Sequence, residues 1–312
     1  MFTEILVGVD GQQGGRDAIA LAGRLADPDA STTLVHVFGA GLTLGRGSEL
    51  LASVELECSQ QLLERERETR APAAAPLVCT DRSVGHALHV LAERHGADLI
   101  VIGACRHGFL GRVLLGDDTI AALNGAPCAV AIAPFEYAKR AQPFCRIGVG
   151  YDGSPESERA LAMARALAPR WRSTVEALAV ISLESIPYGE PIAKNWPDAA
   201  KQLMDDRRRH LRNLNDVEGD VTYGDPTKEL VSLSKQVDLL VVGSRGYGPL
   251  ARLVHGSTSN QLARRARGPL LVLPRDGVDE ECTEWGPPFE VEEGSPDARS
   301  APQAPTRPWS RA

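Results

Sequence analysis

The chain repeats itself. Ile5-Leu6-Val7-Gly8-Val9-Asp10-Gly11 returns as Ile147-Gly148-Val149-Gly150-Tyr151-Asp152-Gly153, and Ala97-Asp98-Leu99-Ile100-Val101-Ile102-Gly103 returns as Val237-Asp238-Leu239-Leu240-Val241-Val242-Gly243. Gly103 and Gly243, like Gly116 and Gly256, stand 140 residues apart. Ala126-Pro127-Cys128 to Ile132 is answered by Gly268-Pro269-Leu270 to Leu273. A repeat as long as an ordinary domain calls for two complete domains, each with its own core, and not for a solenoid of small units. A length of 312 residues suits two such domains. The expected boundaries are 1–136 and 145–276, followed by a tail over 277–312.

Within each repeat, segments of strand and helix character alternate. In the first, strands are expected near 4–9, 32–38, 76–79, 98–102 and 128–133, with helices near 13–26, 47–70, 83–95 and 117–124; the second repeats this from Arg146. Leu99 to Ile102 and Leu239 to Val242 are apolar at consecutive positions. That pattern marks strands buried on both faces, as in a parallel sheet covered by helices, so the class is doubly wound α/β. The run Glu64-Arg65-Glu66-Arg67-Glu68 suggests that the last turns of the second helix lie in water.

The end of the fourth strand carries the chemistry. After Asp238 to Val242 come Gly243, Gly246 and, following nine further residues, Gly256-Ser257-Thr258. Glycines let a backbone approach a ligand where a Cβ would obstruct. A helix opening at Ser257 presents unpaired N–H groups and a positive dipole end to an anion. The same pattern also describes an ordinary strand, loop and Ser-capped helix, but its position between strand and helix favours a phosphate cradle. Other nucleotide signatures fail: there is no GxxxxGK[ST], and Gly246-Tyr247-Gly248 lacks the last glycine and follows the wrong strand for a Rossmann fingerprint.

The GlyxxGly, nine residues, Gly-Ser motif resembles the nucleotide-binding signature of the universal stress protein family, in its ATP-binding branch. The two copies make the chain resemble a tandem member of that family over nearly everything except the tail. The resemblance implies an adenine nucleotide alpha hydrolase-like fold with strand order 3-2-1-4-5 in each repeat. It also implies ATP as cofactor, with Mg2+ as an optional companion. In such sheets ligands sit beyond the carboxyl ends of the strands where the winding reverses, here between the first and fourth strands. Asp152 would contact ribose or adenosine, Val180 would hold adenine through its backbone, Gly243 would lie by the ribose, and Gly246, Gly256, Ser257 and Thr258 would hold phosphates. From the residues alone, Asp152 reads equally as a turn-forming side chain before Gly153, and Val180 as a core strand residue. The resemblance further implies that the last strands of the two repeats pair within one chain as a pseudo-dimer, leaving further homodimerisation open.

The first repeat departs from the motif. Arg106 stands where the second glycine belongs, and Asp117 with Asp118 replaces the hydroxyl residue after Gly116. An Asp at a helix start is a good cap, but it repels a triphosphate. The first site is therefore expected to be degenerate, with Arg106 as an alternative anion contact; Asp10, Val37, Gly103 and Gly116 keep the rest of the pocket and leave weak or metal-assisted binding open.

Net charge is −7, and residues 277–312 hold eight acidic side chains against Arg299, Arg307 and Arg311. With its prolines and few aliphatic residues, that tail is expected to be disordered. The charge balance disfavours nucleic acid as a partner. Arg207-Arg208-Arg209 reads as a solvated helix face. No apolar run is long enough for a membrane span and the N-terminus starts directly on a strand, so the expected location is cytoplasmic, with no membrane partner. Cys58, Cys79, Cys105, Cys128, Cys145 and Cys282 lack the spacing of a zinc site or disulfide framework. His86, His89 and His95 share one helix without a further ligand, so no metal is expected, and neither His255 nor Asp152 has a visible partner as general base.

Three readings of function follow. The favoured one is an ATP-binding stress-response module, without an assigned catalytic residue, whose nucleotide alters conformation or the choice of an unknown protein partner. The others are a slow ATPase and a nucleotide-free interaction scaffold with Cys105, beside Arg106 and His107, as redox sensor.

Overall fold

The structure is a computed structural model, and it describes residues 1–39, 48–104, 117–182, 196–214, 216–244, 257–274 and 289–290. The first repeat builds β1 (Phe2–Gly8), α1 (Gln13–Leu25), β2 (Ala26–Phe38), α2 (Ser48–Arg70), β3 (Ala75–Thr80), α3 (Val84–His95), β4 (Leu99–Gly103), α4 (Asp117–Leu123) and β5 (Ala129–Ala133). After α5 (Tyr137–Arg140), the second builds β6 (Arg146–Gly150), α6 (Pro155–Trp171), β7 (Thr174–Ile181), α7 (Trp196–Arg212), β8 (Glu218–Tyr223), α8 (Pro226–Leu233), β9 (Leu239–Gly243), α9 (Ser257–Arg265) and β10 (Leu270–Leu273). A two-residue strand, β11 (Phe289–Glu290), pairs antiparallel with β3; it is the part of the 277–312 segment that is described.

Among the described residues all strands lie in one sheet ordered β11-β3-β2-β1-β4-β5-β10-β9-β6-β7-β8. Each repeat therefore has the order 3-2-1-4-5, with parallel pairing inside it. The seam between repeats is antiparallel, Leu270 facing Ile132 and Val272 facing Val130. The end strands thus meet within one chain, each covering the other's edge.

Local chemistry explains the elements. In α1, Ala18, Ile19, Leu21, Ala22 and Leu25 recur at helical spacing and are all buried. Ser154 caps α6 by accepting from the Ser157 N–H at 3.2 Å, and Pro155 takes the first turn, where its missing N–H costs nothing. Asp225 caps α8 in the same way, accepting from the Lys228 N–H at 2.9 Å. The aspartate repeated before each fourth strand also has a structural role. Asp98 accepts the Thr3 and Glu4 N–H groups at 2.7 and 3.1 Å, and Asp238 accepts those of Cys145 and Arg146 at 2.8 Å each, tying the start of the first strand to the fourth.

The core lies in two layers, one on each face of the sheet, and each layer runs through both repeats. One is roofed by α1, α2, α6 and α7 and holds Val7, Leu21, Val101, Val149, Leu161 and Val241. The other lies under α3, α4, α8 and α9 and holds Leu6, Leu88, Ile100, Leu240 and Leu262.

Three expectations change. The second strand begins at Ala26, directly at the end of α1, because Phe2 pairs back to Ala26 across an irregular step in the ladder. The turns of α2 around Glu66 do not all lie in water. Glu66 is only 3% exposed, and its carboxylate is held by Arg16 of α1 at 3.0 Å and by Arg70 at 2.8 Å. Two cations make that burial tolerable. The third change is α5, a linker helix the sequence does not announce. It is organised by Asp17, a fully buried carboxylate that accepts the Glu136 and Ala138 N–H groups at 2.7 and 2.8 Å.

Candidate functional site

The winding of the second repeat reverses between β6 and β9, and three features meet at their carboxyl ends. The first is the turn after β6. Asp152 Oδ1 accepts the Ser154 N–H at 2.9 Å, and Gly153 takes φ +78°, a left-handed conformation that favours glycine. The carboxylate thus makes the local turn foreseen as one of its two readings, and the turn delivers the capped start of α6.

The second is Gly243. It is not among the residues of positive φ; what requires glycine there is close approach. A Cβ on Gly243 would stand 2.4 Å from the Glu156 carbonyl oxygen, so the first turn of α6 lies directly on the end of β9. Gly103 occupies the same place beneath α1, where a Cβ would stand 1.9 Å from the Gly14 carbonyl oxygen.

The third is the backbone of β7. The β6–β7 register ends at Gly150 facing Leu178, and Tyr151 N–H donates to the Leu178 carbonyl at 3.0 Å. Strand groups alternate in direction, so Val180 turns its N–H and C=O to the same side as Leu178, beyond the point where β6 has ended. Its side chain is half-buried, and Ile181 points the opposite way, accepting from the Gly224 N–H at 3.0 Å.

Ser257 and Thr258 are the first two residues of α9, whose amino end follows the β9 loop. Gly246 and Gly256 lie outside the described residues, as do Arg106, Gly116, Cys105, His107, His255 and Cys282. In the first repeat, Asp10 Oδ1 accepts from Gln12 and Gly15 N–H groups at 2.9 and 3.2 Å, and Asp117 and Asp118 open α4. Thr119 Oγ1 donates to the Gly103 carbonyl at 3.3 Å, and the matching residue of the second repeat, Ser259, is also buried.

One cluster beside this crevice escaped the sequence reading. Tyr151, which replaces Val9 of the first repeat, donates its hydroxyl to Glu158 of α6 and contacts His210 Nε2 of α7 at 2.7 Å, the two rings stacked with centroids 5.8 Å apart. Burial first, and then the bond to Glu158, push the phenol up to about 12. The one signal in the sequence was a polar aromatic in place of Val9.

Two of the three histidines of α3 have structural partners: His86 Nδ1 meets Asp81 at 2.7 Å and His89 Nε2 meets the Ala122 carbonyl at 2.8 Å. Cys79 and Cys128 are buried, and burial pushes the Cys128 thiol up to about 12. No helix among the described residues is long and apolar enough to cross a membrane.

The model of the universal stress protein family matches residues 1–134 and again 143–274. A universal stress protein of Mycolicibacterium smegmatis is 29% identical over 283 residues, covering 86% of this chain and 96% of that protein. A universal stress protein of Mycobacterium tuberculosis is 31% identical over 183 residues, or 56% of this chain and 61% of that relative. Among solved structures, a universal stress protein from Archaeoglobus fulgidus superposes with TM-score 0.64 at 18% identity, covering 88% of this chain and 98% of that one.

Proposed function

Because the chain belongs to the universal stress protein family, in two tandem copies, we propose that its second repeat binds an adenine nucleotide, ATP, and that the protein acts as a nucleotide-dependent regulatory module of the stress response. The observation that carries this reading is the convergence at the ends of β6, β7 and β9. The turn at Asp152, the backbone edge of Val180 and the glycine end of β9 come from sequence positions far apart, yet they lie at the same end of three neighbouring strands. Val180 offers a donor and an acceptor of the kind an adenine edge needs. Asp152 stands where a ribose hydroxyl would be accepted. The phosphates fall to Gly246, Gly256, Ser257 and Thr258, where α9 supplies N–H groups and the positive end of its dipole. Mg2+ would ride on the phosphates, since it binds through substrate oxygens with few protein ligands.

The first repeat keeps the Asp10 turn and the Gly103 approach, but places Asp117 and Asp118 at the start of α4. Two carboxyl groups there oppose a triphosphate, so we assign the nucleotide to the second repeat alone.

The test is nucleotide released by denaturation from gently purified protein, together with calorimetric titration of ATP and Mg2+. Wild type and a Ser257→Asp variant, which copies Asp117 of the first repeat, are compared. About one site per chain in wild type, lost in the variant, is expected. No nucleotide in the purified protein and no heat of binding would overturn the reading. Release of ADP and phosphate over repeated turnovers would add slow hydrolysis to it.

A further inference from the structure

Arg207, Arg208 and Arg209 are consecutive in α7, yet the structure separates them. Arg208 pairs with Asp205 at 3.5 Å, and Arg209 pairs with Asp206. One turn before Arg207 stands Met204, and no carboxylate among the described residues pairs with Arg207. Its guanidinium lies instead across the turn after β6: a Cβ on Gly153 would stand 2.4 Å from Arg207 Nη1. Arg207 is half-buried, and its charge acts on the phenol of Tyr151 at the same turn. His210, three residues later and so on the same face of α7, stacks on that phenol and fixes the helix against the end of β6.

The first repeat supplies an internal control. Its turn glycine is Gly11, with φ +71°, and the side chain lying across it is Leu62 of α2, whose Cδ1 would be 2.6 Å from a Cβ there. The two repeats thus place different residues at the same point of the same frame, a hydrocarbon over Gly11 and a guanidinium over Gly153. Leucine shows that the position can be filled by packing alone. A partly desolvated cation without an ion pair among the described residues is a costlier occupant than leucine, and a guanidinium offers a planar fork of donors suited to phosphate.

We propose that Arg207 supplies a counter-charge for the phosphate next to the ribose of a nucleotide whose ribose lies at the Asp152–Gly153 turn, and so adds to the second repeat's preference for phosphorylated over uncharged nucleosides. This rests on the nucleotide reading above and names a determinant within that site. It also gives the second repeat a positive charge to offset Asp152 and Glu158, both near the turn, which would otherwise repel a polyphosphate.

The experiment uses the full chain as wild type, Arg207→Leu and Arg207→Lys, titrated with ATP, AMP and adenosine at two salt concentrations. Arg207→Leu installs the residue that the first repeat already carries at this place, and thermal melting checks that the fold is kept. ATP is expected to weaken about tenfold in the leucine variant, with a flatter salt dependence, while adenosine changes less than about twofold. Lysine should fall between, keeping the charge without the fork. An unchanged ATP affinity in Arg207→Leu, or an equal loss for ATP and adenosine, would refute the charge role while leaving the nucleotide site standing. Failure of wild type to bind any of the three would overturn both proposals.

Discussion

Adding one methyl group at the end of the fourth strand of either repeat should destabilise the protein, and by different amounts. In Gly243→Ala the new Cβ stands 2.4 Å from the Glu156 carbonyl oxygen and 2.6 Å from its carbon. Carbon contacts relax only at about 3.5 Å, so the first turn of α6 must retreat by about 1 Å. In Gly103→Ala the clash with the Gly14 carbonyl oxygen is at 1.9 Å, and the retreat of α1 is about 1.5 Å. Neither obstacle is the mobile tip of a side chain; both are backbone held in a helix. Overpacking of this kind costs about 1–3 kcal/mol, against which alanine recovers about 0.4–1 kcal/mol by restricting the unfolded chain. The net loss is therefore about 1 kcal/mol for Gly243→Ala and about 2 kcal/mol for Gly103→Ala, the larger clash. Urea unfolding followed by circular dichroism, with unchanged slope, reads this as lower midpoints; in heating it corresponds to about 2–4 °C per kcal/mol. If either variant were as stable as wild type, or if Gly243→Ala were the worse of the two, close helix approach would not be what these glycines serve.

Asp17 gives a pH signature. Burial raises its carboxyl above the usual 3.8 even though N–H groups of Glu136 and Ala138 and the Gln13 amide donate to it. A raised folded value means the fold holds the proton more tightly than the unfolded chain, so this contribution is complete below the unfolded value and is lost as pH rises through the folded one. The stability advantage of wild type over Asp17→Asn should thus shrink as pH rises above the usual carboxylate value in urea titrations, and a widening advantage would contradict the assignment. Thiol labelling should follow burial: alkylation mapped by mass spectrometry should modify Cys58 and Cys145 in the native protein and reach Cys79 and Cys128 only in urea. Rapid native labelling of Cys128 would show that its surroundings open far more than the packing allows.

The repeat and the apolar runs made the architecture readable, because strands such as Leu99 to Ile102 and their crossover helices announce themselves through nearest neighbours in sequence. Pairwise features across long separations did not. Glu66 looks like a solvent residue inside an alternating Glu-Arg run, and only the approach of Arg16, fifty positions earlier, makes it a buried one. Arg207 sits in a basic run that resembles a wet helix face, yet its role depends on how α7 lies over the Gly153 turn. Gly243 was legible as a glycine that had to be one, but the reason visible in the structure is the Glu156 carbonyl above it, which no motif spacing records. The Asp152 turn was foreseen as one of two readings, and its bond to Ser154 shapes the turn after β6.

The antiparallel seam between β5 and β10 also bears on inheritance. Were the two halves separate polypeptides, this seam would dissociate on dilution, and each half would be free to exchange into pairs of two identical halves. Joined by the short segment through Tyr137–Arg140, they meet at an effective concentration on the order of millimolar whatever their abundance in the cell. One half can then lose its own ligand chemistry while still holding the other's sheet edge, because no wrong pairing competes and each copy of the gene product carries one of each.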